Sequence, residues 1–542
     1  MATNMLLAQE TPRRAFYIVD DEVFHVARYK DTLSFDRQNN EIIRRYRTKG
    51  HWLAVIDSAY SLGDSIISEI HLGRRFSNCQ VRIWTSDSTS QVFGSRVGRG
   101  KGLSLGDYLH RKIESQLSLY ENNGYPFASL DMLDAKVFGG SVLVDVGLNP
   151  RTHIAFDSLC ISPASIVNAN FLAAYLRIRK DQPYSEHTVR NVPLVLKDLS
   201  FMRLEALDVS YRHKHAYLDL KVTKRSVNRF DGVLGMVPRE TDEGVDFTGQ
   251  LDLGLRNLLR TGKELDLQWQ KLRPESQKLD LTYFHPVFFY TPIDLRFGLF
   301  LLKQDSLFSN RSLQFALEHR LSPSIRMALT YESAWGAALQ DRQDSIGNYT
   351  IDYYGTSLVY KTLDDNLYPR QGLIIKLTGQ VGNKEISEEG LVVPRSSQYK
   401  VQVNLSNYQP LNSRTVLVMG LSAGWLDNQY LYINDLFRLG GLRSIRGFNE
   451  GEFFASKFAV SNLEWRLYFE EQSFLVLFVD QAMMSYNLPS VQFIDYPSSI
   501  GGGLEISTDG GNFRILYGMG RREEERFSLS QFKIHFGYSA LF

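Results

Sequence analysis

The last twelve residues of the chain alternate. Phe532, Ile534, Phe536, Tyr538, Ala540 and Phe542 are apolar, and Gln531, Lys533, His535, Gly537, Ser539 and Leu541 between them are mostly polar or small. A strand turns successive side chains to opposite faces, so one face is an aromatic stripe and the other suits water. Lipid on one side and a lumen on the other impose this pattern on a transmembrane β-strand. A soluble edge strand shows it once, whereas here it recurs through more than half of the chain. Tyr399, Val401, Val403 and Leu405 interleave with Gln398, Lys400, Gln402, Asn404 and Ser406. Leu279, Leu281 and Tyr283 interleave with Lys278, Asp280 and Thr282, and Leu463, Trp465, Leu467 and Phe469 with Glu464, Arg466 and Tyr468.

Turn clusters at Arg239–Gly244, Leu259–Gly262, Arg273–Gln277, Asn412–Arg414 and Thr508–Asn512 punctuate these strands. From Phe230 to Phe542 the pattern predicts roughly sixteen strands, an even number as in bacterial single-chain barrels. Closing the last strand on the first leaves no unpaired edge in lipid. A β-propeller would need a blade period of about 40–50 residues, and none is present. Aromatic residues make up 12% of the chain, as suits rings that gird a membrane interface. No apolar run approaches the ~18 residues of a transmembrane helix; Phe474 to Val479 is the most apolar stretch. A chain without such a run spans a bilayer only as a closed barrel. The net charge of +1 creates no long-range field that points to nucleic acid.

Up to about residue 228 the rhythm differs. Three segments each read as an amphipathic helix, a turn and two strands. Glu41 to Lys49 is a helix followed by Gly50-His51-Trp52-Leu53-Ala54 and strands near Val55–Ser61 and Ser65–Leu72. Leu105 to Glu121 is a longer helix, with Leu105, Leu109, Ile113, Leu117 and Tyr120 on one face. Gly124-Tyr125-Pro126-Phe127-Ala128 ends it, glycine supplying the left-handed cap, and strands follow near Leu130–Val137 and Ser141–Leu148. The third segment has a helix over Ser185–Leu196, a turn at Leu199-Ser200-Phe201 and strands at Leu204–Ser210 and Ala216–Val222. A repeat of about 70–80 residues describes tandem small domains, not a solenoid. The start, MATNMLLAQE, reads as a signal remnant or a flexible N-terminus. Cys79 and Cys160 have no metal-ligand spacing and read as separate thiols, with a disulfide open in an oxidising compartment.

The helix, the Gly-Tyr-Pro-Phe-Ala turn and the hairpin resemble a POTRA domain, whose turn residues here are Gly124, Tyr125 and Phe127, and Gly50 with Trp52 in the first copy; Gly-ring-x-x-Ala recurs at matching places, His51 and Tyr125 supplying the ring. A long segment, 427–452, lies between the eleventh and twelfth strands and contains Leu439-Gly440-Gly441-Leu442-Arg443-Ser444-Ile445-Arg446-Gly447-Phe448. It closely resembles the signature loop of the BamA/TamA superfamily of outer-membrane assembly and translocation barrels, to which two-partner-secretion transporters are related. In that family the loop folds into the lumen and its arginine meets acidic groups on the inner wall. The resemblance puts Arg446 in that role, beside Ile445, Gly447 and Phe448. Asn462-Leu463-Glu464-Trp465-Arg466 and Phe478-Val479-Asp480 resemble the family's Glu-x-Arg and Phe-x-Asp strands, which makes Glu464, Asp480 and Arg466 the lock partners. The family usually has glycine where Ala482 stands, which puts the local backbone geometry in question. Asn228-Arg229-Phe230-Asp231-Gly232 resembles the opening of the barrel, Asp364 to Gly372 a mid-barrel turn, and the aromatic end, with Phe536, Tyr538 and Phe542, the β-signal read during insertion.

The resemblance implies POTRA-like domains at 15–78, 79–152 and 153–228, after a flexible stretch at 1–14, and an antiparallel transmembrane β-barrel of about 16 strands at 229–542. The fold class is thus α+β repeats in the periplasm followed by an all-β outer-membrane barrel. It implies unfolded outer-membrane or secreted polypeptides as clients and outer-membrane lipids as surroundings. Accessory lipoproteins or an inner-membrane partner are further candidates; no nucleic acid or cofactor is implied. A Gly-x-Ser-x-Gly elbow is absent, so no hydrolase nucleophile is signalled. Gly98-Arg99-Gly100-Lys101-Gly102 lacks the Ser or Thr of a phosphate loop and reads as a basic loop. Arg212-His213-Lys214-His215 reads as a hairpin turn, and Arg521–Arg526 as a solvated loop between the last two strands. No enzymatic activity is expected. The alternatives are an assembly factor, a two-partner-secretion transporter for a dedicated substrate and, from other classes, a passive porin or a barrel enzyme.

Overall fold

A computed structural model of the chain describes residues 13–542 other than 20–21, 30–31, 50, 52, 63–64, 77, 86–89, 97–104, 140, 239–244, 274, 341–344, 388–393, 489–490, 509, 524 and 529–531. The turn residues Gly50 and Trp52 and the Gly98–Gly102 run lie outside the described residues. Two compact units form: one holds residues up to 157 with 180–189 and 211–216, the other 158–179, 190–210 and 217–542.

The first unit contains two sheets of one plan. Arg13–Val19 and Glu22–Tyr29 pair, helix α1 (Thr32–Thr48) follows, and Val55–Leu62 and Ser65–His71 complete a four-stranded sheet. Its first and last strands lie side by side and parallel, so α1 crosses over the sheet. Asn78–Thr85, Ser90–Arg96, helix α2 (Leu105–Glu121), Ser129–Phe138 and Ser141–Asn149 repeat the arrangement, with the same parallel pairing. Helix α1 packs Ile42 and Tyr46 against Ala15, Tyr17 and Ile70, and helix α2 packs Tyr120 against the cluster of Val81, Val144 and Val146. The strands that precede each helix were not expected from the sequence, and α1 begins nine residues before Glu41, at Thr32. Residues 36–40, Asp-Arg-Gln-Asn-Asn, carry no apolar stripe; a tertiary bond from the Tyr17 hydroxyl to Asn39 Oδ1, 2.8 Å, ties that turn down.

Gly124 sits at φ +94°, where an added Cβ would lie 2.3 Å from His153 Nε2. Tyr125 packs edge-on to His153, with ring centroids 5.1 Å apart, and Phe127 meets Tyr211 at 4.8 Å. His213 and Lys214, at φ +49° and +67°, turn the hairpin between Met202–Arg212 and His215–Lys224. With Ala155–Ser162 these make a three-stranded sheet, accompanied by α3 (Ala169–Leu176) and α4 (Glu186–Leu196). Helix α3 was also not expected. Asn168 caps it by accepting from the amides of Asn170 and Phe171 at 2.9 and 3.2 Å, and Arg177 ends it in the left-handed region.

The second unit is dominated by a closed antiparallel barrel. Its strands are β1 (Arg229–Pro238), β2 (Val245–Leu258), β3 (Lys263–Arg273), β4 (Ser276–His285), β5 (Ile293–Gln304), β6 (Phe308–Ser322), β7 (Ile325–Ala338), β8 (Tyr349–Lys361), β9 (Gly372–Ile386), β10 (Ser396–Pro410), β11 (Thr415–Asp427), β12 (Lys457–Tyr468), β13 (Phe474–Asn487), β14 (Ser498–Thr508), β15 (Gly511–Arg521) and β16 (Phe532–Leu541). A short piece, Gln492–Asp495, precedes β14 and pairs with the same neighbour, β13, so sixteen strand positions close the barrel among the described residues. Fifteen neighbour pairs run along most of their strands, but among the described residues β1 meets β16 through Arg229↔Leu541 and Phe230↔Ala540 alone. The amide of Phe542 adds a bond to Asn228 O at 3.1 Å.

Helices α3 and α4 dock on the end of the barrel where β1 begins. Asn257, at the end of β2, donates to Ile166 O at 2.8 Å, and Gly262 leaves room for the Phe171 ring. Arg320 donates to Tyr175 O and lies over its ring. Asp198, just after α4, takes Arg326 of β7 and Lys361 of β8, each at 2.6 Å. Burial favours the neutral acid of Asp198, but Arg326 and Lys361 outweigh it and hold the carboxyl below its ordinary range. The depressed value means that this contribution is complete above the unfolded Asp range and is lost as pH falls through the folded value. Asp198→Ala leaves Lys361 without its carboxylate and Arg326 with only the more distant Asp294, at 3.8 Å, and should cost about 3 kcal/mol. The expected readout is faster hydrogen exchange in α3 and α4 at neutral pH, and a smaller further loss on acidification than in the wild type. Equal acid sensitivity of both proteins would assign the effect elsewhere.

Candidate functional site: the lumen loop and its anchors

Register fixes which residues line the lumen. On β12, β13 and β11 the even positions face inward, among them Glu464, Asp480 and Val418, and Val418 pairs with Glu464. The β11–β12 connection, residues 428–456, folds back over this wall. Phe437–Leu439 and Phe453–Ala455 pair to form its stem. Beyond the stem, Gly440 and Gly441 take φ of +110° and +90°, conformations that side chains resist. The Gly440 amide donates to Ser444 Oγ at 2.7 Å, and Asn462 Nδ2 holds Ser444 O at 2.9 Å.

Arg446 stands at the tip and is buried, 6% exposed. Its Nε donates to Asp480 Oδ2 at 2.9 Å and Nη2 to Asp480 Oδ1 at 2.5 Å, a bidentate fork. Nη1 donates to Glu464 Oε1 at 2.5 Å, and its backbone amide also donates to Asp480 Oδ2 at 3.0 Å. The guanidinium lies 3.8 Å from the centroid of the Phe478 ring. Glu464 gives its second oxygen to Arg466, at 2.9 and 2.6 Å. Asp480 is fully buried and also accepts from Asn462 Nδ2 and Ser499 Oγ. Two carboxylates and two guanidiniums therefore balance in a closed space, where desolvation makes each partner depend on the others.

Packing completes the contact. Ile445 is wholly buried, and Phe448 stacks edge-on to Phe453 at 4.9 Å in a cluster with Leu439, Val460 and Met484. Gly447 takes φ +83° against the backbone of β15: an added Cβ would come 2.7 Å from the Gly520 amide nitrogen. Ala482, in place of the expected glycine, joins the same cluster, and its amide donates to Pro497 O at 2.9 Å, where the run into β14 is interrupted. The seam residues lie apart from this cluster: Phe230 and Phe536 are on the outer face, and Tyr538 packs on Phe513 at 4.5 Å.

A second anchor was not singled out from the sequence. Lys384 of β9 and Asp435 form an ion pair in which neither side chain is more than 1% exposed. The Lys384 ammonium also donates to Tyr430 O at 2.8 Å and lies over the rings of Tyr349 and Tyr432. Asn434 bonds Gly347 through both ends of its amide, at 3.1 and 2.9 Å. The strand alternation that puts Gln380 inward puts Lys384 inward too. Its pairing with a carboxylate fifty-one residues away has no local signal. The Arg521–Arg526 run also departs from expectation. Arg522 bonds buried Asp495 at 2.8 Å and lies over Phe453, so this residue belongs to the loop's support and not to a solvated turn. No group of three or more His, Cys, Asp or Glu side chains is placed to hold a metal among the described residues.

Arg446→Ala removes the cation from two buried carboxylates and should cost roughly 3–5 kcal/mol locally. The barrel should still insert, while the loop becomes protease-sensitive and the outer membrane leaks large antibiotics. Lys384→Met alone strands Asp435, and the Lys384→Met/Asp435→Leu pair should recover most of the loss. If Arg446→Ala leaves protease resistance and permeability unchanged, the loop is not held by this contact.

The comparisons follow from this architecture. The family model described as Omp85 superfamily domain matches residues 257–542, more than half of the chain. Among curated proteins none matches the sequence. Of solved structures, CdiB from Escherichia coli is similar at 12% identity and TM-score 0.56, over 94% of this chain and 98% of its own. CdiB from Acinetobacter baumannii is similar at 13% identity and TM-score 0.54, over 83% of each chain. BamA from Haemophilus ducreyi lacking POTRA domains 1-3 aligns at 15% identity and TM-score 0.45, over 82% of this chain and 95% of its own. With a sixteen-strand barrel and its matched domain, the chain belongs to the Omp85 superfamily.

Proposed function

We propose that the protein assembles or translocates polypeptides at the outer membrane, with its N-terminal α/β domains, three in our reading, in the periplasm. A β-barrel of this superfamily resides in the outer membrane, and strands alone cross it: no described helix is long and apolar enough. The observation that carries the reading is the seam. Among the described residues two register pairs hold β1 to β16, so most of the length of these facing strand edges is open to pairing with another strand. A client strand entering there gains main-chain hydrogen bonds and lipid burial, and no nucleotide or covalent chemistry is required. The periplasmic domains offer a second template. Ser129–Phe138 is an edge strand, with Met132 73%, Leu133 61% and Phe138 63% exposed. Lipoproteins or an inner-membrane partner on these domains belong to the same proposal.

A second reading, a transporter that passes one dedicated substrate through the lumen, is favoured by the lumen itself. Cavities of about 740 and 680 Å³ lie on the β3–β10 side, away from Arg446, and both are lined by Glu332 and Lys400, which bond at 3.2 Å.

A Phe230→Cys/Ala540→Cys pair, at directly opposed positions, should form a disulfide that blocks function until a reductant is added. The deciding measurement is quantitative proteomics of the outer membrane and medium on depletion. Broad loss of barrel proteins establishes assembly. Loss of one or two secreted proteins, with the membrane intact, establishes dedicated export.

A further inference from the structure

We propose that the outer wall of the barrel carries a binding site for the phosphate of an outer-leaflet lipid headgroup, centred on Arg311. The proposal rests on the orientation given above, with the N-terminal domains in the periplasm. Strands alternate in direction from β1, so the β5–β6 turn lies at the opposite end of the barrel, toward the cell exterior. Arg311 stands three residues into β6 from that end. Its lumen-facing neighbours are Asn310 and Ser312, the latter opposite inward-facing Ala334, so Arg311 itself points to lipid.

The outward rows show where lipid ends. One row reads Leu281, Leu299, Leu313 across β4, β5 and β6. Two rows further out, Gln277, Lys303, Ser309 and Ala337 are mostly polar. Between them runs Trp269, Leu279, Leu301, Arg311, Trp335. Arg311 is thus the single cation in a row of rings and leucines, at the level where hydrocarbon gives way to headgroups.

Three observations make this more than an interfacial side chain. First, the row helps to line a cavity of about 750 Å³ at the rim of the barrel, shared with inward-facing Leu302, Asn310 and Tyr349 and large enough for part of a lipid. Second, the Arg311 guanidinium is laid over the Trp335 ring, 5.1 Å from its centroid, which orients its plane. Third, Arg311 makes no hydrogen bond or ion pair among the described residues. The nearby cation, Lys303, is neutralised by Glu275 at 2.6 Å, which leaves Arg311 as the uncompensated charge. A guanidinium presents a fork of donors that matches phosphate oxygens two at a time. The apolar walls, Trp269, Leu279 and Leu301, take the acyl chain beneath. A lipid phosphate satisfies both parts, as a free anion or a neutral lipid does not.

The test uses the full chain in detergent micelles, with bis-phosphorylated lipid A, its dephosphorylated form and inorganic phosphate as separate probes, read by tryptophan fluorescence and by native mass spectrometry. The expected result is saturable binding of the phosphorylated lipid, at least tenfold weaker in Arg311→Gln and with the fluorescence response lost in Trp335→Phe. Equal affinity of Arg311→Gln, equal binding of the dephosphorylated lipid, or an equal response to inorganic phosphate alone overturns the site. Orientation is checked separately by Ser309→Cys in a Cys79→Ser/Cys160→Ser background, labelled on intact cells with a bulky maleimide. Labelling supports the outer-leaflet placement. Its failure, with lipid binding intact in micelles, overturns the orientation and with it the outer-leaflet assignment, but not the loop and seam geometry.

Discussion

The buried contact of Arg446 with Asp480 and Glu464 is the constraint on which the lumen depends. A sixteen-strand barrel encloses more space than its own inward side chains fill, and something else must occupy it. The β11–β12 connection does so because one guanidinium meets two carboxylates at 2.5 to 2.9 Å, on strands that are neighbours in the wall. None of these charges is tolerable there alone. Gly447 makes the approach possible, since a side chain at its position would strike the β15 backbone. The loop is then held at both ends, by Arg446 on one wall and by the Lys384–Asp435 pair on another.

The opposite requirement applies at the seam. A barrel in lipid needs every backbone group paired, yet β1 and β16 share two register positions. The wall is most secure where the loop is anchored and least secure where the chain's first and last barrel strands meet. The sideways entry of client strands proposed above uses that asymmetry, and Asp198, just after α4, ties Arg326 of β7 and Lys361 of β8 on the other side.

Much of this was legible in the residues. Alternation placed Glu464 and Asp480 on the inner face before any coordinates, because the side-chain period of a strand is two. The Ile-Arg-Gly-Phe tip and its Glu-x-Arg and Phe-x-Asp strands resembled a known arrangement, and the structure brings those residues into contact. The strands before α1 and α2 escaped notice because they are short, carry charges such as Arg13, Arg14 and Arg82, and depend on a parallel neighbour about fifty to sixty residues further on. Helix α3, eight residues long, forms against the barrel end and shows little periodicity of its own.

The sequence by itself determined the class: alternating strands with aromatic outer faces and no apolar run of helix length leave only a closed barrel, because backbone polar groups have no other partners in lipid. It also determined which residues face the lumen. Tertiary structure alone decided which of those residues meet. That Lys384 finds Asp435, that Arg522 is drawn into the loop's support by Asp495, and that β1 barely touches β16 all follow from strand stagger and the path of the folded loop. Those distances are set by the closure of the whole barrel, and no local stretch of sequence encodes them.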